Sequence, residues 1–372
     1  MKILRVEAKG FKNCADDFAI DFIAKSKKTS EDKEYELLEV DEDLYVYSTV
    51  GIVGKNASGK TSTLALLDWC YDILSTFRLG GKNCNYHGIE LTIYFYEEGY
   101  IYQYFAELSN SDTLEDKAVF KNQHLFRKKY YKSKLKQIMT EEWKEKLQAD
   151  GELPEDLSII FFVLKKAVIR EIYYNVSMED EKGYFDIFWL MKKVKLDSKF
   201  LTQIIKIFDD NIISLKQADD NNYLLNYQGK EKMYSARELF AFLSSGTTKG
   251  IKLYILAVMS LKMGLDLIVD EIENHFHKTL VENLIMLYKD KKVNKKNATL
   301  YFSTHYCELL DLFNRSDNIW ITHSNGKITI SNMYEEYGIR TELLKSKKFY
   351  QNAFDTAVNY EMLMELKKEL MQ

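Results

Sequence analysis

The chain has 372 residues, 46% of them hydrophobic and 29% charged, and a single proline, Pro154, where average usage gives about 19. This composition excludes a disordered or proline-rich linker protein and leaves no proline-rich hinges, so one compact body with an inserted lobe is expected. The net charge of −4, carried with 45 Lys against 7 Arg, sets no bulk preference for nucleic acid or an acidic membrane.

Residues Ile3 to Phe22 alternate apolar and polar with a break at Gly10, the pattern of a hairpin. The acidic, polar stretch from Ser26 to Asp43 reads as a surface excursion, and Leu44 to Val53 as one strand. Gly54-Lys55-Asn56-Ala57-Ser58-Gly59-Lys60-Thr61 comes next, and helical spacing runs from Ser62 to Leu74. Ile89 to Leu108 predicts a second hairpin turning near Glu97-Glu98-Gly99. From Lys128 to Phe208 the pattern is helical, with a polar break from Ala149 to Asp156. Ile212 to Tyr234 reads as short strands turning at Asp219-Asp220-Asn221-Asn222, and Arg237 to Met263 as helix except at Ser244-Ser245-Gly246-Thr247. Leu265 to Val269 and Ala298 to Ser303 are short buried strands around a helix from Lys278 to Lys289, a βαβ unit. A hairpin from Asn318 to Ser331 and a charged helix follow. No apolar run nears the roughly 20 residues of a membrane helix, and Met1 to Phe11 lacks a secretory core. Cys14, Cys70, Cys84 and Cys307 show no CxxC spacing, which fits the reduced thiols of a cytoplasmic protein.

Gly54 to Thr61 fits GxxxxGK[ST] between a strand and a helix, the context the motif requires. Gly54 and Gly59 let the backbone wrap phosphates, with Asn56, Ser58 and the helix start at Thr61 and Ser62 completing the cradle. Lys60 would contact the β- and γ-phosphates of ATP, and the Thr61 hydroxyl would hold Mg²⁺; the alternative is a chance match in a Gly-rich turn. Leu267-Ile268-Val269 ends in Asp270-Glu271, where open α/β sheets bind ligands. Asp270 would support Mg²⁺ and Glu271 would act as general base; a solvated strand end is the bland alternative. Tyr301 to Thr304 leads to His305, which could reach the γ-phosphate or be a core histidine. Ser244-Ser245-Gly246 offers further phosphate donors or simply caps a helix. Lys117 to Lys136 holds seven Lys and one Arg without an acid, interleaved with Phe126, Tyr130 and Tyr131. It suits a nucleic-acid backbone or a solvated helix face, the latter slightly preferred. His275 and His277 form an HxH without a third ligand nearby, so they read as loop residues.

The order of these pieces resembles the ABC-type ATPases, and more narrowly the small AAA ATPases related to the OLD (overcoming lysogenisation defect) family, many of them bacterial anti-phage components. The resemblance is carried by GKNASGKTS, SSGTTKG, VDEIENHFHKTL and Arg315-Ser316-Asp317-Asn318-Ile319-Trp320, and covers most of the chain except Lys128 to Asp209. It implies an α/β fold: an ABC-type P-loop ATPase with antiparallel β hairpins beside a mostly parallel core sheet and an inserted helical lobe. Residues 1–127 and 241–372 would form the ATPase core, and 128–240 the inserted lobe with the signature. It further implies ATP and Mg²⁺, Glu271 and His305 as catalytic residues, and Ser244, Ser245 and Gly246 contacting nucleotide in a head-to-tail homodimer. Glu273 and Asn274 would lie in the loop linking the two sites. Lys278 stands where relatives carry proline, Gln103, Gln123 and Glu115 compete as the residue coupling nucleotide to the lobe, and Phe11-Lys12-Asn13 occupies the adenine region.

Sixty-seven residues follow His305, fewer than a nuclease lobe needs, so a separate effector or toxin protein is the expected partner, without a membrane. A DNA-repair or chromosome-type ATPase is the alternative, although Lys128 to Asp209 is short for its coiled coils. A transporter motor fits less well, because 190 residues separate Gly54 from Ser244.

Overall fold

The computed structural model describes residues 1–28, 35–82, 84–113, 116–140, 142–148, 151–164, 171–175, 198–219, 222–273, 277–338, 344–354 and 360–371. The chain divides into two compact units, one of Met1–Arg170 with Ser303–Gln372 and one of Glu171–Phe302.

The first unit begins with β1 (Lys2–Lys9), β2 (Phe18–Asp21), β3 (Leu37–Asp41), β4 (Leu44–Tyr47) and β5 (Thr49–Val53). The helix α1 (Lys60–Ser75) follows, then β6 (Ile89–Glu97), β7 (Tyr100–Asn110), β8 (Ala118–Lys129) and β9 (Glu145–Leu147). An antiparallel sheet of order β2-β1-β6-β7-β8-β9 results. Period-two burial builds it: Tyr104, Ala106 and Leu108 of β7 are buried while Gln103, Phe105, Glu107 and Ser109 between and beside them are less so. β6 and β7 join where expected, through Glu98 and Gly99, both at the positive φ of a two-residue hairpin turn.

Three expectations change here. The single strand expected from Leu44 to Val53 is two, because β4 pairs with β3 and the ladder closes at buried Ser48. Ser48 donates its N–H to Glu36 O (2.9 Å) and its hydroxyl to Tyr35 O (2.6 Å), and β5 starts afresh at Thr49. The stretch from Ser26 to Asp43 is not all surface, since Glu36, Leu37 and Leu38 are buried. β8 runs to Lys129 and pairs with β9, so the start of the expected helical segment is strand, and the basic stretch is strand up to Lys129 before a short 3-10 helix at Lys132–Gln137. Between 128 and 208 the described residues hold α-helix only at Ile160–Leu164 and Ser198–Phe208. Short apolar runs do not separate helix from strand by period, and cross-strand partners such as Arg127 and Glu145 decide the outcome.

In the second unit β10 (Glu171–Asn175), β14 (Asp266–Asp270) and β15 (Leu300–Thr304) run parallel, with β14 in the middle. Between β10 and β14 come β11 (Ile212–Gln217), β12 (Asn222–Tyr227) and β13 (Lys230–Ser235), an antiparallel meander. Every residue of β14 is buried, as a parallel central strand requires. The helix Lys278–Tyr288 links β14 to β15, and the expected βαβ unit is present. The helices Ser198–Phe208 and Ser245–Met263 pack together, with the Phe208 and Tyr254 rings edge-to-face at 5.4 Å. Tyr254 also donates its hydroxyl to Leu280 O at 2.7 Å, tying the long helix to the crossover.

The chain then completes the first unit with β16 (Ile319–Asn325) and β17 (Lys327–Asn332), the expected hairpin, turning at Gly326. β16 lies parallel to β5, with Ile321 opposite Val53. Just before β16 a buried ion pair forms, Arg315 Nε to Asp317 Oδ1 at 2.9 Å and Nη2 to Oδ2 at 2.6 Å. Asp317 Oδ2 also accepts the N–H groups of Lys25 and Ser26, at 3.0 and 2.9 Å. The motif Arg315 to Trp320 is therefore a structural anchor that pins the chain after β2. Antiparallel hairpins and parallel strand pairs make this a mixed α/β protein, as expected. Among the described residues no helix is long and apolar enough to cross a membrane. Cys14, Cys70 and Cys307 are buried, and burial pushes the Cys14 thiol up to about 11.

Candidate active site

β5 delivers the chain, fully buried, into the loop from Gly54 to Gly59. Two glycines are demanded by their surroundings. A Cβ on Gly54 would lie 2.4 Å from Ser58 Oγ and 2.5 Å from Thr322 Oγ1; one on Gly59 would lie 2.3 Å from Ile328 Cγ2. Gly59, at φ 106°, also opens α1, whose start carries neither a side-chain cap nor an acid in its first turn. A helix start of this kind suits an anion, because its N–H groups and dipole present positive charge. Thr61 is exposed and Ser62 half-buried in that first turn, while Asn56 is exposed and Ser58 buried in the loop. These residues fit a phosphate chain: the glycines let the loop backbone pack directly against Ser58, Thr322 and Ile328, and Lys60 brings the cation.

Lys60 is 6% exposed, and its ammonium donates to the carbonyls of Gly54 and Lys55, both at 3.0 Å. His305 Nδ1 lies 3.5 Å from the same nitrogen. Within the first unit the structure thus brings together the loop Gly54–Ser62 and His305, 245 positions apart. Ala57 takes a left-handed φ of 58°. That costs an L-residue about 1–2 kcal/mol, and the extra freedom of unfolded glycine offsets part of it. Ala57→Gly is expected to raise the unfolding free energy by about 0.5–1 kcal/mol in urea titrations. A loss of stability instead would mean that the Ala57 methyl contributes packing that outweighs the strain.

In the second unit Asp270 ends β14 and is buried, and Glu271 follows, half-buried, at φ 50°. A glutamate held left-handed just past a buried strand is a strained backbone position of the sort that clusters at functional sites. Ser244 caps the helix Ser245–Met263: its Oγ accepts Thr247 N–H at 3.1 Å and lies 2.7 Å from Thr247 Oγ1. Gly246 is half-buried in the first turn, which holds no acid. Asn274 and His275 lie outside the described residues; His277 caps Lys278–Tyr288, its Nδ1 accepting Thr279 N–H at 3.4 Å.

Other sequence candidates take structural places. Phe11 is fully buried edge-on to Trp69 at 4.8 Å, so of Phe11-Lys12-Asn13 only Lys12 and Asn13 are exposed. Gln103 donates to the Tyr94 hydroxyl at 2.9 Å. Gln123 accepts from the Tyr104 hydroxyl at 2.7 Å and from Ile159 N–H at 2.9 Å. Glu115 lies outside the described residues. In the basic stretch, Arg127 pairs with Glu145, Lys132 with Glu42 and Asp43 at 3.1 and 2.9 Å, and Lys117 with Asp156 at 4.0 Å. Thr322 and Ile328, which wall the loop, carried no sequence signal, since they act on residues more than 260 positions away.

Residues 50–311 match the family model described as "AAA domain, putative AbiEii toxin, Type IV TA system". No curated protein matches the sequence. Among solved structures, the SMC head domain from Thermotoga maritima is 15% identical with a TM-score of 0.43, covering 89% of this chain and 99% of that one. The SmcHead bound to the C-winged helix domain of ScpA is 14% identical with a TM-score of 0.45, covering 91% of this chain and 100% of that one.

Proposed function

We propose, from the premise that the chain belongs to this AAA-domain family, that it is an ATPase whose cycle joins and parts two copies of itself. The observation that carries this reading is Lys60 over a glycine-shaped loop, with His305 3.5 Å from its ammonium. A buried cation at a helix start free of acids is suited to the β- and γ-phosphates of ATP. Backbone from Gly54 to Gly59 would cradle the phosphates, and Thr61 and Ser62 would meet them at the helix start. Mg²⁺, held by Thr61 and Asp270, would offset phosphate charge. Glu271 would take the proton of the attacking water as general base, and His305 would orient that water or the γ-phosphate. Such a base is typically worth 10²–10⁴-fold in rate.

The segment Ser244-Ser245-Gly246 supports the two-copy form of the reading. It opens a 19-residue helix with no acid in its first turn, a second helix start on the same chain that would suit an anion. Supplied by one copy to the nucleotide of the other, it would make ATP the glue between them. The family description names a putative toxin of a type IV toxin–antitoxin system; in our reading the cycle would control a separate effector, in an anti-phage role like that of the OLD-related ATPases. A nucleic-acid role for Lys117 to Lys136 is the weaker reading, because Lys117, Arg127 and Lys132 already face acids.

Titration with Mg²⁺–ATP tests the assignment. Lys60→Ala is expected to lower affinity at least 100-fold, since charge-assisted phosphate contacts are among the strongest in such sites. Wild-type affinity in that variant would remove the assignment.

A further inference from the structure

We propose that Thr322 is a positioning residue for the phosphate-binding loop, acting through Ser58; the proposal rests on the nucleotide reading of that loop. Thr322 is fully buried on β16, one residue beyond the point where Ile321 pairs with Val53. It therefore stands beside the place where β5 leaves its ladder and becomes loop.

The hydrogen bonds there have a direction. Thr322 Oγ1 donates to Val53 O at 3.2 Å, which uses its only hydrogen. The 2.6 Å contact between Ser58 Oγ and Thr322 Oγ1 must then run from Ser58 to Thr322. The chain Ser58 to Thr322 to Val53 thus fastens the fifth residue of the loop to the residue preceding its first. The same two hydroxyls fill the space where a Cβ of Gly54 would go, at 2.4 and 2.5 Å. Ser58 turns its hydroxyl toward β16, so its contribution to the cradle is its backbone.

The β16–β17 hairpin also supports the far end of the loop. Ile328 of β17 packs under Gly59, leaving no room for a side chain. Asn13 Nδ2 donates to Gly326 O at 2.9 Å, and Ile328 exchanges backbone hydrogen bonds with Asn13 and Ala15, both at 2.8 Å. The loop is held at both ends by one hairpin, with a hydroxyl at one end and a methyl at the other. Only the hydroxyl end is directional. Removing it frees the Ser58 hydroxyl and leaves Val53 O without this partner, so the loop loses the contact that holds its shape before ATP arrives.

The test compares Thr322→Val, which keeps shape but not the hydroxyl, with Thr322→Ser, which keeps the hydroxyl. Mg²⁺–ATP affinity is measured at a temperature where circular dichroism shows all variants folded. Thr322→Val is expected to weaken binding about tenfold, the effect of one lost hydrogen bond, and Thr322→Ser to stay within about twofold of wild type. Ser58→Ala is expected to match Thr322→Val, and the double variant to lose no more than either alone. Should Thr322→Val fail to fold, Ser58→Ala carries the same prediction without leaving Val53 O unmet. Wild-type affinity in Thr322→Val, or in Ser58→Ala, overturns the proposal, as do additive losses in the double variant. Wild-type protein that binds no Mg²⁺–ATP removes the nucleotide reading and the proposal with it.

Discussion

Glu271→Gln is expected to slow ATP turnover by about 10²–10⁴-fold while leaving ATP affinity unchanged. Glutamine keeps the size of the side chain and its capacity to accept a hydrogen bond, but it cannot take a proton from water. Glutamine tolerates φ 50° no worse than glutamate does, so the backbone position just past the buried run of β14 is kept. Steady-state phosphate release and ATP titration separate the two quantities. Turnover within threefold of wild type would take the general-base role from Glu271.

Asp317→Ala is expected to cost about 3–5 kcal/mol of stability without touching the phosphate loop. Asp317 is 1% exposed and Arg315 5%, so truncating the acid removes the carboxylate from beside a buried guanidinium. Two backbone N–H groups, from Lys25 and Ser26, lose their acceptor as well. Arg315 Nη2 still donates to the Ser26 carbonyl, at 2.7 Å, and to the Ser26 hydroxyl. A cost under about 1 kcal/mol in urea unfolding would show that water enters and solvates the arginine. Replacing both partners by apolar residues of similar size is expected to be milder than Asp317→Ala, since no charge is then left buried.

These two outcomes separate what the sequence could and could not carry. Gly54 to Thr61 is legible because phosphate binding imposes residue types at fixed spacing, and the structure adds the steric reason for Gly54 and Gly59. The hairpins Ile89 to Leu108 and Asn318 to Ser331 are legible because alternation and a glycine turn are local signals. β8 and β9 were not, since a lysine-rich run carries no period and the pairing of Arg127 with Glu145 decides its state. Leu44 to Val53 looked like one strand because its division at Ser48 depends on carbonyls at Tyr35 and Glu36. Arg315 to Trp320 was visible as a motif, but its meaning, a buried ion pair holding residues 25 and 26, needs contacts almost 300 positions apart. Phe11 falls in the adenine region by sequence, but its ring packs against Trp69 at 4.8 Å, a contact that no local spacing signals. What was missed is non-local, and a single sequence does not encode it in any spacing.

The most direct test of an ATP-joined pair is the solution mass of Glu271→Gln with and without Mg²⁺–ATP, by light scattering after size separation. The expected result is a monomer without nucleotide and a doubled mass with saturating ATP, returning to the monomer when Lys60→Ala is added. A Glu271→Gln protein that binds ATP and keeps the same mass would contradict the account.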